Sequence, residues 1–521
     1  MMAVSAIVSI SSCQKNGPEN GQENGGGQET AAPKIVWESN PDFETVNIDD
    51  NLDATLSIIA PGKIKSLVVG IDSDLLEPIL SAMQVPAEFD LVSNTEVGTI
   101  LDGLTQGALP TGEDLLDKEE VEFNITALVK LIAGIATETG DHSFSIKVTD
   151  GNDKSVSAVC TFRYLLVSAT VEVKDINLWT NTATVSVASE NAMEVSVWFG
   201  EKGSELRQLE GTDGSYPIAA EYTEGTNDAG LKIYTPVAGT GVYAATTYVV
   251  EVRNGETVIG EKEFTTESGD VIPNGDMSGW SKKDWLNGGK AWKITYPNAD
   301  GESFWDSGNN AFLEQYDEET GEATLFTPLC QEDEGVAMLS AQTVLGFVFA
   351  PGNMYTGDFD YSGFSGTANF GKVFDWTARP VALKVSYKAN VGLIDKVGTN
   401  DPDGESFNGK QDVSRIYAVV IDWSKQHGVV SGMTTPTGMW DPSTATSLDE
   451  GAILGYAILD ITANQEEFTD AEIPFVWYDT VKKPAEGNYS IVISCATSKR
   501  GDYLTGCSTN KLWVDNFEFV Y

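Results

Sequence analysis

A 521-residue chain with 78 acidic against 32 basic side chains carries a formal net charge of −46. Such a surface repels phosphate backbones and anionic headgroups, which excludes nucleic-acid binding and adsorption to acidic membranes. The 41% hydrophobic content and 12 Trp can fill several cores, and the length is that of about three or four domains.

The first feature along the chain is Ala6-Ile7-Val8-Ser9-Ile10-Ser11-Ser12-Cys13. A short apolar run closing on small residues and then Cys is the pattern of a bacterial lipoprotein signal, with residues 1–12 removed and Cys13 diacylated. No Lys or Arg precedes Cys13, as in a signal truncated at its start. The run falls short of the ~20 apolar residues that cross a bilayer, as does every later stretch. Residues 13–33 are rich in Asn, Gly, Gln and Glu, a composition expected to form a flexible tether. Gln14 resembles the outer-membrane sorting signal after an acylated Cys, and Lys15 and Glu19 faintly resemble a surface-export signal. The expectation is a lipid-held protein of the outer membrane, at the cell surface, touching the membrane only through its lipid.

Residues 34–166 alternate at Val46, Ile48, Leu52, Ala54, Leu56 and Ile58, and again over 63–71, the period of strands. Residues 74–80 read as a short helix with Asp74 as N-cap and Pro78 in its first turn, and 124–132 as a second with Asn124 as cap. Strands return at 143–148 and 156–164 around the turn Asp150-Gly151-Asn152. The predicted unit is an Ig-like β-sandwich with short helical crossovers.

Residues 167–267 hold short strands at 169–173, 183–187, 194–199, 232–234, 247–253 and 257–265, with Asn254-Gly255 marking a hairpin. Residues 241–252, where Tyr248 enters a strand after a small-residue turn, resemble the late strands of fibronectin type III domains. Such modules imply a spacer.

Residues 268–521 hold 9 of the 12 Trp and long Gly-rich loops, with regular strands at 382–387, 415–421, 453–461, 490–494 and 511–521. Helical periodicity is nearly absent, so this is predicted to be a large jelly-roll domain. The fold class is all-β throughout.

Six segments of this last part occur in a fixed order: Gly352-Asn353-Met354-Tyr355-Thr356-Gly357-Asp358-Phe359, Asn369-Phe370-Gly371-Lys372-Val373-Phe374, Arg379-Pro380-Val381-Ala382-Leu383, residues 416–423, residues 498–506, and Leu512-Trp513-Val514-Asp515-Asn516-Phe517 onward. The succession resembles the putative carbohydrate metabolism domain of lipoproteins from glycan-degrading Gram-negative bacteria. It departs from that pattern at Cys507-Ser508-Thr509-Asn510, where the family tends to Gly and Ser, and in its Tyr387-Lys388 strand. The resemblance implies an architecture and a glycan context rather than a reaction.

Catalytic signatures are sparse. Only His142 and His427 exist, in different predicted domains, and there is no Gly-x-Ser-x-Gly elbow or HExxH helix. No catalytic residue is assigned. Asp422, Asp358 and Asp360 are the first suspects for a paired-carboxylate glycosidase or lyase, the enzymatic alternative. Asp300, Asp306, Asp358 and Asp360 are hard oxygen donors, so a structural calcium stays open although no calcium-loop spacing exists and no cofactor is expected. Export permits disulfides; Cys495 and Cys507 are the best-placed pair, with isolated buried thiols as the alternative.

Binding has the stronger pattern. A sugar presents C–H bonds on one ring face, which packs against an aromatic ring while neighbouring Asp, Asn, Gln and Arg hold the hydroxyls. Trp280, Trp285, Trp292 and Trp305 lie among polar and Gly residues, and Trp440, Tyr355 and Tyr361 lie in predicted loops. Trp376 and Trp513 are expected in the core. The expectation is glycan capture on an aromatic platform formed by Trp280, Trp285, Trp292, Trp305, Tyr355 and Trp440, alongside surface glycan-uptake proteins. A structural adhesin or scaffold is the non-sugar alternative.

Overall fold

The computed structural model describes residues 30–105, 109–287, 290–311, 314–315, 327–344, 346–362, 365–433, 435–450 and 452–521. The Cys13 signal and nearly all of the tether lie outside them. The chain is all-β with a few short helices and forms two compact units, Met1–Val167 and Ser168–Tyr521. No helix among the described residues is long and apolar enough to cross a membrane.

The first unit packs two sheets. One joins Lys34–Val36, Thr55–Ile59 and Glu120–Asn124; the other runs Val46–Asn47, Ser155–Tyr164, Gly140–Asp150, Ile64–Asp72, Glu88–Asp90. Alternate residues Leu56 and Ile58 of one sheet, and Leu67, Val69, Phe144, Ile146 and Val148 of the other, share a core with Trp37 and Phe162. The helix expected from Asp74 is Glu77–Ala82; Asp74 is not its cap, because Ser73 Oγ takes the Leu76 N–H at 3.2 Å and delays the first turn. The second helix is Thr126–Ile135, with Asn124 Oδ1 accepting from the Thr126 amide at 2.9 Å. A third, Thr95–Thr105, buries Val97 and Leu101.

The second unit begins with a three-stranded sheet (Ser215–Ile218, Thr182–Glu190, Ser168–Asn177) and a four-stranded one (Arg207–Leu209, Val195–Glu201, Thr247–Asn254, Thr257–Thr265). Tyr248 stacks between Phe199 and Phe264, and its hydroxyl accepts from the Tyr243 amide at 2.9 Å. The hairpin Tyr222–Thr226 and Lys232–Pro236 leaves these sheets and extends the large sheet of the C-terminal part, pairing Tyr234 with Trp477. Arg379, 1% exposed, fixes the same junction: its guanidinium lies 4.8 Å from the Trp179 ring and 4.3 Å from Trp477, and donates to the carbonyls of Trp179 and Asp479.

The C-terminal part is a two-sheet sandwich. Its larger sheet continues from the hairpin through Val476–Trp477, Ile453–Ile461, Ser414–Trp423, Tyr489–Ala496, Asn353–Ser362, Ser365–Phe370 and His427–Gly432. The smaller runs Cys330–Asp333, Val336–Ser340, Lys511–Val520, Ala382–Asn390, Gln465–Pro474. Because side chains alternate along a strand, Ile416, Ala418 and Val420 meet Leu383, Val385, Leu512 and Val514 between the sheets. Tyr417, Val419 and Ile421 point the other way, into a second apolar layer with Tyr355, Phe370, Trp423, Trp440 and Val492. A sheet buried on both faces is why Ser414–Trp423 reads as an almost unbroken apolar run.

The proposed Cys495–Cys507 bridge is not formed: both are free, buried thiols, as are Cys160 and Cys330. Cys495 faces the core between the sheets, whereas Cys507 sits in a loop against Thr509 and Gly392.

Candidate functional site

On the outer face of the larger sheet the strand register builds a cleft. Tyr489–Ala496 presents Ser494 and Ala496 outward, flanked by Ser414–Trp423 and Asn353–Ser362. Tyr417 and Tyr355 both pair with Ser494, and Arg415 and Asn353 both pair with Ala496. A small residue between two large ones makes a depression two strand spacings wide, about 10 Å. Trp440 closes one side, held by ring contacts to Trp423 at 5.4 Å, Phe370 at 5.7 Å, His427 at 5.9 Å and Tyr417 at 6.0 Å. The cleft's volume is about 70 Å³. A space of that size admits the edge of a sugar. A more apolar hollow of about 120 Å³ opens beside it, sharing Pro351 and Asn353 and lined by Phe359, Met433, Leu504 and the 45%-exposed Tyr361.

The cleft's charges are unevenly partnered. Arg415 Nη1 donates to Asp441 at 2.5 Å, and its Nε and Nη2 form a fork on Asp460 at 2.5 and 2.8 Å. Burial by itself raises both carboxyls, but Arg415, joined by Ser443 at Asp441 and by Lys499 at Asp460, more than offsets it and holds both below the usual carboxylate range. Ser443 donates twice more to Asp441, which fixes the loop carrying Trp440. Asp502 is different: it lines the cleft yet makes no hydrogen bond or ion pair with the described residues, and burial pushes its carboxyl up to about 7. It rides on the short turn Gly501–Tyr503, whose neighbour Arg500 is clamped by Asp401 and lies 4.2 Å over Phe407. Close packing of Pro351 on Gly501, where a Cβ would sit 2.9 Å away, presses that turn onto the sheet.

Residues 281–520, which contain this cleft, match the family described as "Putative carbohydrate metabolism domain". The C-terminal half is a domain of that family. No curated protein sequence matches the chain. Among solved structures, a putative glycoside hydrolase from Bacteroides vulgatus is 21% identical, covering 46% of this chain and 95% of that one, with a TM-score of 0.33. One from Bacteroides thetaiotaomicron is 19% identical over 64% and 97%, TM-score 0.30. A Bacteroides ovatus protein of a mixed-linkage glucan utilization locus, solved with a mixed-linkage heptasaccharide, is 10% identical over 89% and 100%, TM-score 0.14.

Within the carbohydrate metabolism domain, the residues singled out from sequence are dispersed. Tyr355 and Trp440 meet in the cleft, although they are only 2% and 6% exposed. Trp305 is a core residue, 1% exposed, because Asn298 clasps its backbone on both sides and its indole N–H donates to the Pro273 carbonyl. Trp280 is half-buried beside a separate groove. Trp285 and Trp292 pair across the hairpin Ser281–Asn287 and Lys290–Tyr296, and their side chains lie outside the described residues. Trp376 is core as expected, whereas Trp513 faces outward under Lys388 and bonds Asp333.

The suspected catalytic carboxylates each have local partners. Asp422 accepts from the Ala485 amide and Asn488, Asp358 from Lys372 and Gln426, and Asp360 from Asn369. Asp306 is drawn inward, its carboxyl pushed up to about 6 by burial against the opposing amides of Ser307 and Phe359. Among the described residues no three His, Cys, Asp or Glu side chains are grouped to hold a metal ion. Nothing near Asp502 in sequence marks it, though it lies inside the 498–506 segment that carries the family resemblance.

Proposed function

We propose that this chain is a lipid-anchored, cell-surface glycan-binding protein whose carbohydrate metabolism domain holds a neutral polysaccharide at the Tyr355–Tyr417–Trp440 cleft. The observation that carries the reading is Asp502, an unpartnered carboxyl set among aromatic rings in a domain of a carbohydrate family. The carboxyl lines the cleft without a partner among the described residues, so a ligand hydroxyl can bond it without displacing an existing contact. Tyr361 and Met433 extend the surface beside the cleft, where the next sugar residue can rest. Arg415 and Lys499 are already neutralised by Asp441 and Asp460. Together with the net charge of −46, that disfavours uronic-acid or sulfated polymers. The Cys13 pattern and the polar segment after it support presentation from the outer membrane, among other surface glycan-uptake proteins.

Affinity electrophoresis through gels containing xylan, galactomannan, amylopectin or mixed-linkage β-glucan tests this. At least one polymer retards the chain, and Asp502→Ala with Ala496→Leu, which empties one contact and fills the floor, abolishes the retardation. Equal mobility of wild type and variant in every retarding gel sinks the cleft reading.

A second reading, hydrolysis, draws on Asp502 being pushed up to about 7 while Asp441 in the same cleft is held below the usual carboxylate range, the divergence of two carboxyls that a glycosidase uses. It requires release of new reducing ends from the bound polymer, lost in Asp502→Asn.

A further inference from the structure

The loop entering the carbohydrate metabolism domain builds a second feature that shares no lining residue with the cleft. Asn274 and Met277 take left-handed backbone conformations, and the Asn274 side chain ties the turn together through the Gly279 amide and the carbonyls of Gly279 and Pro297. That turn aims Trp280, whose indole N–H donates to the Met277 carbonyl at 2.7 Å, so the ring is fixed rather than free to rotate. One part of the ring packs on the core between the sheets. The rest lines an open groove of about 570 Å³ with Ser278, Lys282, Thr295, Gln331 and Glu332. That volume falls in the ~300–1,000 Å³ range of small-molecule sites, unlike the narrow cleft.

The chemistry of the groove is that of saccharide recognition: a held aromatic ring beside an amide, a carboxylate and an ammonium. Gln331, on the edge strand Cys330–Asp333, has no partner for its amide among the described residues. Glu332 spends one oxygen on the Gly335 amide at 2.7 Å and keeps the other. The hydroxyl of Thr295, a residue only 7% exposed, also lacks a partner.

We propose that the Trp280 groove is a second saccharide site, so that the domain grips one neutral polysaccharide chain, or two neighbouring ones, at two separate points. This rests on the glycan-binding reading of the cleft and adds the class of ligand, a polymer long enough to engage both sites. Two weak sites on one rigid body raise polymer avidity by about 10²–10⁴ over either site alone, while a short oligosaccharide gains nothing.

The test uses the full chain and whichever of the four polymers above retards it, together with the tetrasaccharide of the same linkage. Calorimetric titration with the tetrasaccharide gives two sites per chain. Gln331→Ala with Glu332→Ala, both outside the core, removes one of them and lowers polymer affinity at least tenfold, as does Trp280→Ala. The cleft variant Asp502→Ala removes the other site. One site per chain with polymer affinity unchanged by the Gln331 and Glu332 changes overturns the second site and leaves the cleft reading standing. No heat and no retardation with any of the four glycans overturns both.

Discussion

Asp502→Asn should make the protein more stable while weakening what the cleft does. The substitution keeps the side chain's size and removes only its ionisation. In the folded chain the carboxyl is pushed up to about 7 by burial, against an ordinary value of 3.8. The folded state therefore keeps the proton after the unfolded state has lost it. Stability is undiminished below about pH 3.8, falls as pH rises through the window up to about 7, and stays low above it. A difference of that size corresponds to about 4 kcal/mol, and because the carboxyl borders a cleft that solvent reaches, about 2 kcal/mol is the firmer expectation. Urea unfolding followed by tryptophan fluorescence reads the right part of the molecule, since 11 of the 12 Trp lie beyond Ser168. At pH 8.5 the variant should gain about 2–4 kcal/mol over wild type, and at pH 4 the two should nearly coincide. A variant no more stable than wild type at pH 8.5, or a gap that does not change with pH, refutes the raised and unpartnered carboxyl. The trade-off is the expected signature of a ligand-directed group.

Three further outcomes follow from the same geometry. Arg379→Ala should cost about 3–5 kcal/mol, because two rings and two carbonyls lose the cation they surround, whereas Arg379→Met should cost clearly less by filling the slot without a charge; equal losses in urea unfolding contradict the ring-held cation. His142, 4% exposed and bonded to Ser73 at 2.8 Å, has its pKa lowered by burial against the opposing pull of Asp141 and Asp74. The first unit should therefore lose stability as pH falls below about 6.5, and His142→Gln should flatten that slope in hydrogen-exchange protection of Gly140–Asp150. Burial pushes the Cys160 thiol up to about 12 and raises Cys330 and Cys495 as well, so a thiol reagent at pH 7.5 should label these three only after denaturation, with no reducing agent needed to expose them.

The strands were legible where one face is buried and the other wet: the alternation at Leu56 and Ile58 and the Asn254-Gly255 turn appear as read. The first helix starts later than its Asp74 cap implies because Ser73 takes the Leu76 amide, whereas Asn124 does bond the first amide of the second, at Thr126. Trp305 is in the core rather than on a platform for a physical reason. Its polar and Gly-rich surroundings look exposed, but Asn298 satisfies its backbone and leaves the indole free to enter the core. Conversely, Trp513 lies in a strand with core-like neighbours, yet strand alternation turns it outward beneath Lys388. The cleft could not be read locally, since Tyr355, Arg415, Trp440 and Asp502 come together only through pairing across three strands and two loops.

The most direct measurement is a crystal structure of the chain with a neutral tetrasaccharide that it retains. A sugar hydroxyl within about 3 Å of the Asp502 carboxyl, with a ring edge seated over Ser494 between Tyr355 and Tyr417, is the expected result. A saccharide bound only elsewhere on the molecule, with Asp502 touching no part of it, contradicts the assignment of this cleft.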